Sequence, residues 1–302
     1  MKKNRLAEFI KHAVDEEAYG NSLVFECKGK FKELYERILD EIKRYPYISS
    51  KEKYNIIKEK IDEYIVDFNS EFVDWLDDSF EAIVDTEAAW LVSFMAISGV
   101  SYTVAKNLVS KVKFMPVAEN NSYLGTGEAV IEKLSQNVNT ALKNAYLTKE
   151  STEIIADRFE SRYEKYENNL DTEVSTFNTA VFRNTDTEIF KSNNETVRYS
   201  AVLDSRTCLS CAEYHGQIFS AVDAPIPPFH FGCRCQLIPA SLFSDSEVNT
   251  FSDWIETLTE DEKLDYLGKG RYQLYKSGVP VTKFVDNGRI LTLDELNDNS
   301  IN

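Results

Sequence analysis

Histidine is scarce in this chain, at 3 of 302 residues, and methionine and tryptophan are as rare, at 3 each. Glycine (11) and proline (7) are few for the length, which argues against a loop-dominated or low-complexity protein, and no internal repeat is evident. Positive charge is also short: 34 Lys and Arg face 50 Asp and Glu, a net charge of −16. Such a field repels phosphate backbones, so general coating of DNA or RNA is not expected, and proteins are the expected partners. No apolar signal core follows Met1-Lys2-Lys3-Asn4-Arg5, because Glu8, Asp15, Glu16 and Glu17 intervene, so synthesis and folding in a cytoplasm are expected. The most hydrophobic run, Ala88 to Val100, is too short to span a bilayer and reads as a buried helix. Hydrophobic residues at 43%, with 12% aromatic, still suffice for a folded core.

Against that scarcity, four of the five cysteines and two of the three histidines crowd into residues 208–235. They spell Cys208-Leu-Ser-Cys211, His215, and His230-Phe-Gly-Cys233-Arg-Cys235. A Cys-x-x-Cys pair followed by His-x-x-Cys brings thiolate and imidazole donors, in two local pairs, within reach of one tetrahedral Zn²⁺. The intervening Ala212 to Phe229 holds Gly216, Pro225, Pro227 and Pro228, which suits a chain that doubles back. Five donors compete for four places. Cys208, Cys211, His230 and Cys233 are the first choice on spacing. Cys235 is an alternate ligand, since on an extended strand it leaves the same face as Cys233. His215, beside Gly216, reads as a surface residue. Three other readings stay open: a disulfide, which needs an oxidising compartment; a redox Cys-x-x-Cys, which would open a helix in a βαβ unit; and a Cys–His nucleophile. Asp204 and Arg206 read first as turn and surface residues, and alternatively as supports of the site. Arg234 would face away from its flanking cysteines, toward a partner or balancing thiolate charge.

The fold class read from the pattern is α+β. Residues 1–168 form a helical region, expected to be a protein-interaction arm, and residues 169–302 a small α+β domain with a short sheet around the Cys/His cluster. Phe31, Leu34, Tyr35, Ile38, Leu39 and Ile42 share a helix face that Pro46 ends. The stripe from Ile57 to Phe80 predicts a long helix, and Trp90, Phe94 and Ile97 extend it; its aromatics read as core, not as a ligand slot. Residues 115–127 read as a loop, whose Gly125-Thr126-Gly127 lacks the strand and lysine of a phosphate cradle. Helices follow on Val130 to Tyr146 and Leu170 to Val181, with Thr148 or Ser151 as a cap between them. Thr196 to Leu203 predicts a strand, with Gln217–Phe219 and Cys235–Ile238 as partners. Capping boxes at Thr259–Glu262 and Thr292–Glu295, a helix stop at Gly268, and a hairpin turn at Asp286-Asn287-Gly288 punctuate the remainder.

The string Asp204-Ser-Arg206-Thr-Cys208-Leu-Ser-Cys211, then Gly216-Gln-Ile-Phe219, then Pro228-Phe-His230-Phe-Gly-Cys233-Arg-Cys235 closely resembles the signature of the phage Mu F-like minor head, or head morphogenesis, proteins. Leu267-Gly-Lys-Gly-Arg271, Leu274-Tyr275 and Gly278 resemble what often follows it, so the resemblance covers about residues 170–295. His215 departs from the family, where an acidic residue is common. The resemblance implies a non-enzymatic minor capsid protein of a tailed phage, inside the virion at the portal vertex and made in the host cytoplasm. Its implied partners are the portal protein, and the major capsid or scaffold protein, with contact to packaged DNA conceivable and no membrane. The metal ligands would be Cys208, Cys211, His230 and Cys233, with Cys235 as alternate, around a structural Zn²⁺. The rival readings are a zinc-dependent hydrolase or toxin-associated enzyme domain, and a DNA-associated ejected protein. Against the first stands the lack of His-Glu-x-x-His, of a nucleophile elbow, and of a glutamate base beside the cluster.

Overall fold

The computed structural model describes residues 2–95, 116–118, 121–242 and 249–299. Long helices dominate: α1 (Lys2–Lys43), α2 (Lys51–Met95), α3 (Tyr123–Thr148), α4 (Thr152–Glu160) and α5 (Tyr163–Ser192), with β1 (Pro116–Ala118) and β2 (Asn121–Ser122) pairing antiparallel between α2 and α3. The remainder mixes β3 (Thr196–Ser200), α6 (Leu209–Tyr214), β4 (Ile218–Ser220), β5 (Gln236–Pro239), α7 (Phe251–Thr257), α8 (Glu260–Lys276), β6 (Val285–Asp286), β7 (Arg289–Ile290) and α9 (Leu293–Asn299). The architecture is α+β, as the pattern of periods predicts. None of the described helices is long and apolar enough to cross a membrane.

The chain divides into two compact units, one of residues 13–182 with 230–232, the other of residues 1–12, 183–229 and 233–302. In the first, α2 buries Ile57, Ile61, Ile65, Phe68, Phe72, Leu76, Phe80 and Ile83 along one face, and packs against α3. Steps of three and four keep these side chains on one stripe, and each one buried contributes about 1.5–3 kcal/mol. That confirms the aromatic stripe as core. The α3 face is Val130, Ile131, Leu134, Val138, Leu142 and Ala145, all buried. α1 ends at Lys43, short of Pro46, and the next segment is tied to the start of α4: Thr152 N donates to Pro46 O at 3.1 Å, and the Thr152 hydroxyl to Tyr45 O at 2.5 Å. Ser151 is the N-cap of α4, its side chain accepting from Ile154 N. The Tyr35 hydroxyl donates to Phe159 O, and Lys28 pairs with Asp171 at 2.9 Å. Two expectations change here. Of the predicted loop over 115–127, residues 116–118 and 121–122 are paired strands and α3 begins at Tyr123, so Gly125-Thr126-Gly127 lies within α3; residues 115, 119 and 120 lie outside the described residues. Ile97 and the end of the Ala88–Val100 run lie outside the described residues.

In the second unit a three-stranded antiparallel sheet runs in the order β4-β3-β5. The predicted strand over 196–203 is shorter than expected, ending at Ser200, but both expected partners pair with it. Arg198 stands opposite Ile218 on one side and Ile238 on the other, so β3 is central, and Val197, Arg198 and Tyr199 are buried. A second layer follows. Leu209 and Ala212 of α6 join Phe251 and Ile255 of α7, Leu267 of α8, and Val281, Phe284, Val285, Leu291 and Leu296 in one apolar cluster. Turn chemistry fixes its path. Thr259 and Glu262 form the expected capping box, and Gly268, at φ 70° and ψ 160°, breaks α8 where the stop was predicted, though helix resumes as far as Lys276. Asp286 pairs with Arg289 across Asn287 (φ 49°) and Gly288 (φ 78°), both in the left-handed region that a two-residue hairpin turn requires. Thr292 accepts from Glu295 N at 3.3 Å while Glu295 accepts from Thr292 N at 2.8 Å, completing the second predicted box. Thr250 and Asp253 form a further box that the sequence reading missed, with aspartate where glutamate is usual.

Candidate metal centre

Each cysteine of the cluster is placed by a specific local device. Cys208 is the N-cap of α6, extended at φ −72° and ψ 157°, and its sulfur accepts from Cys211 N at 3.3 Å. One helical turn therefore aims both sulfurs the same way, as the two-residue spacing requires. Cys233 and Cys235 sit just before β5, and register ties them to the sheet: Gln236 pairs with Ser200 and Leu237 with Tyr199. Cys233 and Cys235 precede the strand instead of lying on it, and the ligand atoms of Cys211, Cys233 and Cys235 all lie within 4.8 Å of one another. So do those of Cys208, Cys211 and His230. Cys211 belongs to both groups.

No disulfide joins any of the five cysteines. The Cys211 and Cys233 sulfurs stand 3.8 Å apart. Two sulfurs bound at about 2.3 Å to one tetrahedral ion would be separated by about 3.8 Å, so the spacing fits a shared metal far better than a 2.05 Å covalent bond. Burial adds to the case, with Cys211 1%, Cys233 3% and Cys235 3% exposed. Such crowding opposes ionisation. Hydrogen bonds with Cys208, Cys233 and Cys235, then burial, drive the Cys211 thiol far above its usual range. For Cys235 the bond with Cys211 acts downward, but Cys233 and burial outweigh it and push the thiol up to about 12. Thiolates can gather here only with a cation among them; the donor set therefore suits a soft, thiophilic divalent ion such as Zn²⁺. Cys27, the remaining cysteine, is a core residue of α1, its thiol pushed up to about 12 by burial and then by Glu173.

Neighbouring residues hold the cluster in place. Tyr199, fully buried on β3, donates its hydroxyl to Cys211 Sγ at 3.8 Å, and burial raises its pKa far beyond the usual phenol range, so it remains a donor. The sequence reading missed it; only its position opposite Leu237 brings it there. Asp204 accepts from Arg206 N at 2.9 Å, the turn-forming bond expected, but it also receives Arg234 Nη2 at 2.7 Å. That Arg234 bond leads in holding the Asp204 carboxyl well below the carboxylate range. Arg234 thus braces the Cys-Arg-Cys segment against the turn before Cys208, while the Arg206 side chain stays exposed. His215 is not a surface residue. It is partly buried, its Nδ1 accepts from Ala201 N at 3.0 Å, and burial lowers its pKa, so it is a neutral ring tying α6 to the end of β3. His230 Nδ1 lies 2.8 Å from Phe231 O.

Residues 132–238 match the family described as Phage Mu protein F like protein. This segment is Mu F-like. The match spans both halves of the cysteine cluster and the whole β4-β3-β5 sheet except Pro239. It starts well upstream of residue 170, inside α3, and stops at Ile238, so α7, α8 and the Leu267 to Gly278 stretch lie beyond it. The upstream helices of the Mu F-like segment carry only core periodicity, which is shared by any packed helix and cannot be read as a signature. No curated protein and no solved structure matches the chain.

Proposed function

We propose that this chain is a minor capsid, head morphogenesis protein of a tailed phage, assembling inside the head at the portal vertex, with its C-terminal unit stapled by a structural zinc. The observation that carries the reading is the coincidence of the Mu F-like match with a buried thiol cluster. Cys208, Cys211, Cys233 and Cys235 would hold the ion, because three of these sulfurs are already grouped in the interior and Cys208 is bonded to the Cys211 amide. His230, the choice on spacing, is then not a ligand, although its ring lies within 4.8 Å of the Cys208 and Cys211 sulfurs. Four thiolates close a tetrahedral site to water, so Zn²⁺ would supply folding energy and not Lewis-acid chemistry. The working surface is accordingly protein, and a net charge of −16 favours portal, capsid or scaffold partners over packaged DNA.

Two measurements test this. Elemental analysis is expected to find about one zinc per chain, retained by His230→Ala and lost by Cys235→Ser; the reverse pattern refutes the ligand set. Purified, metallated protein is expected to co-sediment with portal rings, and failure to bind while folded refutes the partner.

A further inference from the structure

One end of the helical unit carries a charge opposite to that of the chain. Residues 43–54 and 143–149 hold six cations, Lys43, Arg44, Lys51, Lys53, Lys143 and Lys149, against one acid, Glu52, in a protein of net charge −16. The fold brings the two segments together: Tyr54 stacks on Tyr146 at 5.7 Å, and Tyr47 bridges to Ser151. Lys43 is paired with Glu160 and Arg44 with Glu41, but among the described residues no carboxylate meets the other four cations. Lys53 rests on the Tyr45 ring at 4.8 Å and Lys149 on the Tyr146 ring at 4.5 Å, which holds both ammonium groups in place before any partner arrives. In the same segments Tyr47 is 53% and Leu147 64% exposed. Exposed aromatic and aliphatic surface among fixed cations is the composition of a protein interface.

The same unit holds the complement. From Ile61 to Met95, α2 has ten acids and no Lys or Arg. Asp67, Glu71, Asp74 and Asp78 follow at steps of three and four, so they stand exposed on one face over about 16 Å. Like charges at these spacings oppose one another, and among the described residues no cation meets these four. Nucleic acid fits the basic end less well, because the chain's field repels phosphate and the Tyr146 face is taken by Tyr54 and Lys149. We propose that this protein self-associates, the basic turn between α1 and α2 and the adjoining end of α3 in one copy seating on the acidic α2 face of a second copy. The inference rests on charge and exposure in the helical unit, so its failure leaves the metal centre and the head-protein reading standing.

Sedimentation velocity on the full chain tests this. At about 50 mM NaCl the parent is expected to associate with rising concentration, and at about 500 mM the association constant is expected to fall by roughly 10-fold or more. Lys51→Glu with Lys149→Glu makes the basic end acidic, and Asp74→Lys with Asp78→Lys makes the acidic face basic. All four positions are exposed, so each double variant is expected to keep the circular dichroism of the parent. Each alone is expected to stay monomeric, and an equimolar mixture is expected to associate again, because each now carries the complement of the other. Tyr47→Ser, a neutral change on the same end, is expected to weaken association of the parent by roughly 10-fold. A parent that stays monomeric at about 50 mM NaCl overturns the inference, as does a mixture of folded variants that fails to associate. Unchanged association in Tyr47→Ser overturns it whatever the charge variants do. Labelled oligothymidylate, or portal rings, bound by a monomeric parent and not by Lys51→Glu with Lys149→Glu would also overturn it, by giving the basic end to that partner instead.

Discussion

Glu173 lets the electrostatics of the helical unit be tested with one atom exchanged. It lies on α5, partly buried, with one carboxylate oxygen enclosed and lacking a hydrogen-bond partner. Burial alone raises its pKa from 4.5 to about 8. Because the folded value lies above the unfolded one, the folded state holds its proton longer. Stability is therefore complete below pH 4.5 and declines as pH rises toward 8, levelling beyond it. A gap of about 3.5 in pKa is worth roughly 5 kcal/mol at full weight, and about 2–4 kcal/mol once water reaching a partly exposed group is allowed for. Glu173→Gln keeps the shape and removes the charge. In thermal melts followed by circular dichroism, the two proteins are expected to differ little near pH 4.5. Near pH 9 the variant should be ahead by about 2–4 kcal/mol, or roughly 5–12 °C in Tm. Other titrating groups cancel in the difference between the proteins. Parallel curves from pH 4.5 to 9 would refute the assignment of a neutral buried acid.

Two further substitutions probe the second unit. Gly268→Ala places a side chain at φ 70°, ψ 160°, where no atom lies within 4 Å of the new methyl, so the expected loss of about 1–3 kcal/mol is purely backbone strain. A denaturant midpoint equal to the parent's would contradict the break in α8. Asp204→Asn weakens the brace to Arg234 and is expected to cost about 1 kcal/mol at pH 7, discounted because both side chains are about a third exposed. The depressed carboxyl pKa means that this loss should be full above about pH 4 and shrink progressively below it, disappearing only where the folded carboxyl itself takes up a proton, which acid titration of both proteins would check.

Much of this protein is legible in its sequence because the relevant physics is local. Cys-x-x-Cys spacing is one helical turn, Thr-x-x-Glu is a closed pair of hydrogen bonds, and Asn287-Gly288 tolerates positive φ; none needs a distant residue. The sheet partners were readable from alternation, and the donor set from residue type alone. Long-range geometry was not. That Cys235 joins Cys211 and Cys233 in the interior depends on the β5 register against β3, and the same register delivers Tyr199 to a sulfur. His215 looked like a turn residue until the fold placed Ala201 N against its ring. Leu267 shares an apolar cluster with Ala212, 55 residues back along the chain, and no pattern joins the members of that cluster. Residue types and spacing therefore determined which atoms could bind a metal; strand register and layer packing decided which of them share the interior and what surrounds them.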